Sequence, residues 1–143
     1  IRRQRQMCIR DSFYKDVFCD IITESRFAQP TANYSEKVYQ AMFFRKPFIL
    51  VAPPATLQYL RKEGFRTFDQ FWNEHYDLTF NHSDRIGMIF QLIDSINGKS
   101  IEELRKMYLE MTDILDHNFN LVSEKLDRSK RIHHETYSDN KRV

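Results

Sequence analysis

Ser35-Glu36-Lys37-Val38-Tyr39-Gln40-Ala41, followed after Pro47 by Phe48-Ile49-Leu50-Val51-Ala52, is the stretch on which the fold turns. Ser35 suits a helix N-cap, because its hydroxyl accepts from the open amides of a first turn. Val38, Ala41, Met42 and Phe44 then share one face, which predicts a helix over residues 35–44. Residues 48–52 are apolar without alternation, as expected of a parallel strand covered on both faces. Lys37 stands where the helix dipole is already positive, an unfavourable placement unless an anion is present. First-turn amides, dipole and ammonium together would hold a phosphate. The plain alternative is that Glu36 and Lys37 are solvated first-turn residues.

Upstream, residues 17–23 are short, β-branched and aromatic, and predict a strand; residues 26–33, with Pro30, predict a loop. Downstream, Pro53-Pro54 opens a second helix with Pro54 in its first position, Leu57 and Leu60 inward and Gly64 as the stop. Residues 65–68 are a candidate short strand, and Phe68, Phe71, Trp72 and Tyr76 read as core rather than as a sugar-stacking platform. Asn73-Glu74-His75-Tyr76-Asp77 reads as a polar helix end in preference to an acid/base cluster. A helix over 83–97 places Ile86, Ile89, Phe90, Ile93 and Ile96 on one face and ends at Asn97-Gly98. Ser100 with Glu103 forms a capping box for one long closing helix, with Leu104, Met107, Tyr108, Met111, Ile114 and Leu115 inward and an end near Leu126. Residues 127–143 are polar and poorly patterned, which predicts a disordered tail. Strand, helix, strand, helix in parallel geometry implies an α/β fold, a half-Rossmann layer whose ligands bind beyond the carboxyl ends of the strands. Glu24 and the Ser35 corner both fall there.

Met7-Cys8-Ile9-Arg10-Asp11-Ser12 resembles a translated sequencing adapter, so residues 1–12 are read as an artefact or else as a disordered basic arm, and are set aside from the fold. Removing their four Arg and one Asp takes the net charge from +2 to −1, and 131 residues remain. The basicity that would suggest nucleic acid disappears with them. Only Cys19 remains, so neither a disulfide framework nor a cysteine metal quartet is expected, and a cytoplasmic protein is the default. His82, His117, His133 and His134 lack ligand spacing, so no metal is expected. No apolar run reaches the length of a membrane span.

The run Cys19-Asp20-Ile21-Ile22-Thr23-Glu24-Ser25, then Tyr34-Ser35-Glu36-Lys37-Val38-Tyr39-Gln40-Ala41, Lys46-Pro47-Phe48-Ile49 and Pro53-Pro54, resembles the C-terminal, donor-binding lobe of fucosyltransferases and exostosin-type glycosyltransferases. These families read F-E-N-S, gap, Y-x-T-E-K-L-x-x-A, G-x-x-P-I, then a Pro-rich turn. Gly64-Phe65-Arg66-Thr67-Phe68-Asp69-Gln70-Phe71 is similar to their S-F-I-D-V-x-D-F segment, so the likeness spans residues 17–115. The chain also resembles uncharacterised sugar-transferase-like proteins of phages and marine bacteria. Three departures stand out: Ser35 replaces Thr, Thr23-Glu24-Ser25 replaces Glu-Asn-Ser, and Arg45 or Lys46 stands where a Gly is expected.

The resemblance implies a Rossmann-like half of a two-lobed GT-B glycosyltransferase, here residues 13–126, with a helical C-terminal part and an N-terminal lobe missing. It assigns Lys37 to the donor diphosphate, Glu36 to the ribose hydroxyls, Tyr34 to the flank of the nucleotide and Ser35 to the helix cap. Glu24, as the catalytic candidate, would meet the transferred sugar, and Arg26 and Arg45 are candidate additional phosphate contacts, the plain alternative being solvated arginines. The implied partners are a nucleotide-sugar donor, a glycan or other acceptor and the absent lobe, without a resident cofactor. An apolar remnant at residues 119–126 would face that lobe. The alternative is a non-catalytic α/β interaction module that keeps the fold without the activity.

Overall fold

Two parallel strands, β1 (Asp20–Thr23) and β2 (Phe48–Val51), pair with Asp20 opposite Phe48 and Thr23 opposite Val51, and helix α1 (Glu36–Phe43) is their crossover. The computed structural model describes residues 17–139, with side chains through 129; the segment 1–12 read as adapter or arm lies outside the described residues. After β2 come α2 (Thr56–Lys62), a 3-10 turn (His75–Leu78), α3 (His82–Asn97), α4 (Ile101–Glu110) and α5 (Thr112–Asp139). The chain is therefore mixed α/β, with a two-stranded parallel sheet and five α-helices among the described residues.

β2 is the core strand: Phe48, Ile49 and Leu50 are buried, whereas β1 buries only Ile22 and leaves Ile21 half exposed. The core joins these residues to Val38, Ala41 and Met42 of α1, Leu57 and Leu60 of α2, and the ring cluster of Phe68, Trp72 and Tyr76. Phe68 meets Phe48 edge-on at 5.3 Å between centroids and Trp72 at 5.1 Å, so the aromatic segment is core, as its pattern suggested. Leu50 offers its amide on the edge of β2 away from β1, and the hydroxyl of Tyr76 accepts it at 3.5 Å where another strand would otherwise pair.

Helix α1 begins as its sequence indicates, with the Ser35 hydroxyl accepting from the Lys37 amide. It ends in a Schellman motif: the Arg45 amide bonds Met42 O and the Lys46 amide bonds Ala41 O, with Arg45 at φ 52°. Arg45 is thus a left-handed residue, and an Arg in that conformation costs about 1 kcal/mol. Its guanidinium meets Asp116 at 2.6 Å and covers the Phe119 ring at 3.7 Å. The same motif with a true Gly closes α2, where Gly64 adopts φ 93° and the Phe65 amide bonds Leu60 O.

Five expectations need correction. Pro54 precedes α2 by two residues, and Ala55 at φ 63°, which has no polar side chain, is the N-cap. Residues 65–68 form no strand, because side chains take their backbone groups: Asn118 bonds both Arg66 N–H and Arg66 O at 2.8 Å, and Glu74 accepts from Phe68 N–H at 2.9 Å. The closing helix is two helices, broken at Met111, where the Thr112 hydroxyl takes the Leu109 carbonyl at 2.7 Å, a back-bond that bends helices. Phe90 is exposed, and Leu92 is buried on the inner face instead. Finally, α5 passes Asp127 and continues to Asp139, through a stretch without Gly or Pro in which Lys, Arg and Glu favour helix. The apolar remnant is also partly used internally: Phe119 meets Phe43 at 5.6 Å and Val122 is buried.

Candidate functional site

Glu24, Ser35 and Lys37, three of the residues singled out from sequence, converge at the carboxyl end of β1. Glu24, the first residue past the strand, is buried, and its Oε1 accepts from both the Ser35 amide at 2.9 Å and the Ser35 hydroxyl at 2.8 Å. The Lys37 ammonium reaches back to donate to Thr23 O at 2.8 Å. Strand end, helix start, carboxylate and ammonium thus meet at one corner. The corner is not the open anion site that sequence spacing implied, because the chain supplies its own anion: Glu24 sits against the start of α1, where negative charge is favoured by the amides and the dipole. Lys37 remains exposed, as does Glu36 in the first turn.

Tyr34 lies beside this corner in an aromatic stack. Its hydroxyl is 3.0 Å from that of Tyr39, and its ring lies 5.9 Å from that of Tyr59. Burial, together with the neighbouring Tyr39, pushes the Tyr34 hydroxyl pKa well above the ordinary phenol value. Arg26 is exposed on the loop leaving β1, where its carbonyl accepts from Gln29 N–H, and its side chain is not among the groups gathered at the corner.

The start of α2 repeats the pattern with a carboxylate from much further along the chain. Asp77 accepts from Leu57 N–H at 2.8 Å and Gln58 N–H at 3.0 Å, and its own carbonyl accepts from Ala55 N–H at 2.6 Å. Ala55 cannot cap the helix with its methyl group, so a buried aspartate does it from 20 residues away. Glu74 is equally enclosed, paired with Arg61 at 2.6 Å and with Phe68 N–H. Burial raises the pKa of both carboxyls against the opposing pull of their hydrogen bonds. The segment read as a polar helix end is therefore an internal scaffold.

No family model, curated protein or solved structure matches this chain. What the corner can do rests on its geometry alone. Sequence reasoning missed Asp77, Glu74 and Asn118, whose partners lie 6 to 52 residues away, and missed Arg85, a fully buried cation in the second turn of α3. A cavity of about 650 Å³ opens beside Arg61, Asp69, Trp72, Asn73, Glu74 and His75. Among the described residues, no group of His, Cys, Asp and Glu is arranged to hold a metal ion, and no helix is long and apolar enough to cross a membrane.

Proposed function

We propose that the chain is the donor-binding lobe of a glycosyltransferase of GT-B type, taking a nucleoside-diphosphate sugar and working with a second lobe that carries the acceptor. The observation that carries this reading is the exposed Lys37 ammonium, 2.8 Å from the last carbonyl of β1 and beside the buried Glu24 carboxylate. A lysine whose partner is one neutral carbonyl can exchange it for a diphosphate oxygen, which makes a stronger, charge-assisted bond. Ligands of parallel α/β layers occupy that end of the sheet. In this reading Lys37 stabilises the diphosphate as negative charge develops on the leaving group. Glu36, exposed one residue earlier, has the two acceptor oxygens that a ribose diol requires. Tyr34 flanks the base, and Glu24 meets the sugar after exchanging its bonds to Ser35. A base for the acceptor hydroxyl would come from the other lobe, so the chain alone would bind donor without transferring sugar.

A second reading has its own observation. Glu24 and Asp77 already neutralise the starts of α1 and α2, which favours a non-catalytic α/β interaction module with a finished, closed crevice. Calorimetric titration with guanosine- and uridine-diphosphate sugars separates the two. The donor-lobe reading expects binding that weakens about tenfold or more in Lys37→Ala, the loss of one charge-assisted phosphate contact. Absence of binding, or binding indifferent to Lys37, supports the interaction module.

A further inference from the structure

Arg85 is 1% exposed and has no carboxylate within ion-pair distance among the described residues. Its guanidinium is held by neutral carbonyls: Nη1 donates to Thr79 O at 2.9 Å and Phe80 O at 3.4 Å, and Nη2 to Phe27 O at 2.5 Å. The Phe27 ring covers the group, 4.0 Å from Cζ to the ring centroid. The buried Nε has no partner. Buried charges are ordinarily paired, and a buried donor without an acceptor is destabilising. The placement adds to the cost, since Arg85 lies one turn into α3, near the positive end of that helix's dipole.

Nε–H and one Nη2–H point side by side and form the two-pronged fork with which Arg grips phosphate and carboxylate. Here a single carbonyl, that of Phe27, occupies one prong and the other is empty. Phe27 belongs to the loop between Glu24 and Ser35, so the fork lies under the segment that leaves β1 at its carboxyl end. His82, at the start of α3, faces the same ring at 6.0 Å, and Asp77 acts on the guanidinium through its charge.

We propose that Arg85 is a phosphate receptor closed by the Phe27 loop. An incoming phosphoryl group displaces the Phe27 carbonyl and ring, accepts from Nη2 and Nε together, and supplies the negative charge that the buried guanidinium lacks. The ring and carbonyl of Phe27 act as a stand-in that holds the cation in place until the ligand arrives. This role does not depend on Lys37, and the two sites can be tested apart.

Calorimetric titration of inorganic pyrophosphate into the full chain tests it, using wild type, Phe27→Ala, Arg85→Lys and Lys37→Ala. The expected result is tighter binding in Phe27→Ala, by about threefold or more, and a loss of about tenfold in Arg85→Lys, which keeps the charge but has no fork. Binding weakened in Arg85→Lys, strengthened in Phe27→Ala and little changed in Lys37→Ala places the pyrophosphate at Arg85, while the Lys37 reading is decided separately by the nucleoside-diphosphate-sugar titration. Loss in Lys37→Ala with Phe27→Ala and Arg85→Lys unchanged overturns the Arg85 role and leaves Lys37 standing. No binding by either wild type or Phe27→Ala also overturns it. Should Arg85→Lys fail to fold, Phe27→Ala alone decides: it leaves the main-chain carbonyl on Nη2 but removes the ring that covers the guanidinium, and uncovering the group must strengthen binding. Titrating guanosine diphosphate beside pyrophosphate and orthophosphate shows whether the receptor takes nucleotides or free phosphates.

Discussion

The helices at the carboxyl end of the sheet and those of the C-terminal half begin in different ways. α3 and α4 are capped from within: Asn81 accepts from the Asp84 amide, and Ser100 and Glu103 exchange a reciprocal pair of bonds at 3.2 and 2.7 Å. α1 adds to its Ser35 cap a carboxylate from 11 residues upstream, and α2 depends on one from 20 residues downstream. Local caps are exposed and replaceable. Remote ones are buried, so they tie a helix start to the rest of the core and leave part of the crevice already neutralised.

The sharpest way to break this contrast is Asp77→Ala, which strips two enclosed amides of their acceptor. About 3 kcal/mol of stability should be lost in urea unfolding. Ser100→Ala removes an exposed cap of the same formal kind and should cost about 1 kcal/mol. Equal losses would show that distance along the chain and burial make no difference to a cap.

Glu74 sharpens the comparison through pH. Burial holds its folded pKa above the ordinary 4.5, so the folded state binds the proton more tightly than the unfolded chain. The associated stability is fully present below about 4.5 and is lost as pH rises through the folded value. Wild type should therefore fall in melting temperature relative to Glu74→Gln as pH rises over that window. A difference between the two that does not change with pH would mean that the bonds to Arg61 and Phe68 N–H cancel burial, and a wild type that gains on Glu74→Gln as pH rises would mean that they outweigh it.

What was legible in the sequence divides along the same line. Ser35, the Ser100–Glu103 box, the Gly64 stop and the unalternating β2 are local signals, and each corresponds to an element within a residue or two. The convergence of Glu24, Ser35 and Lys37 was legible too, since strand end and helix start are joined by one crossover. Asp77, Glu74 and Asn118 were not legible, because nothing in their own neighbourhoods names a partner, and their segments look polar while being buried. The strand expected at residues 65–68 is absent for the same reason: Asn118 gives Arg66 the two bonds that a neighbouring strand would have given. Arg85 was hidden by its type, since an Arg in the second turn of an amphipathic helix ordinarily faces water.

The most direct test of the proposed donor crevice is to follow backbone amide chemical shifts while a guanosine- or uridine-diphosphate sugar is added to the full chain. The account predicts that the largest shifts fall at Thr23, Glu24 and Ser35 through Val38, where strand end and helix start meet. Shifts confined to the cavity between Asp69 and Leu78, or no shifts at all, would contradict it.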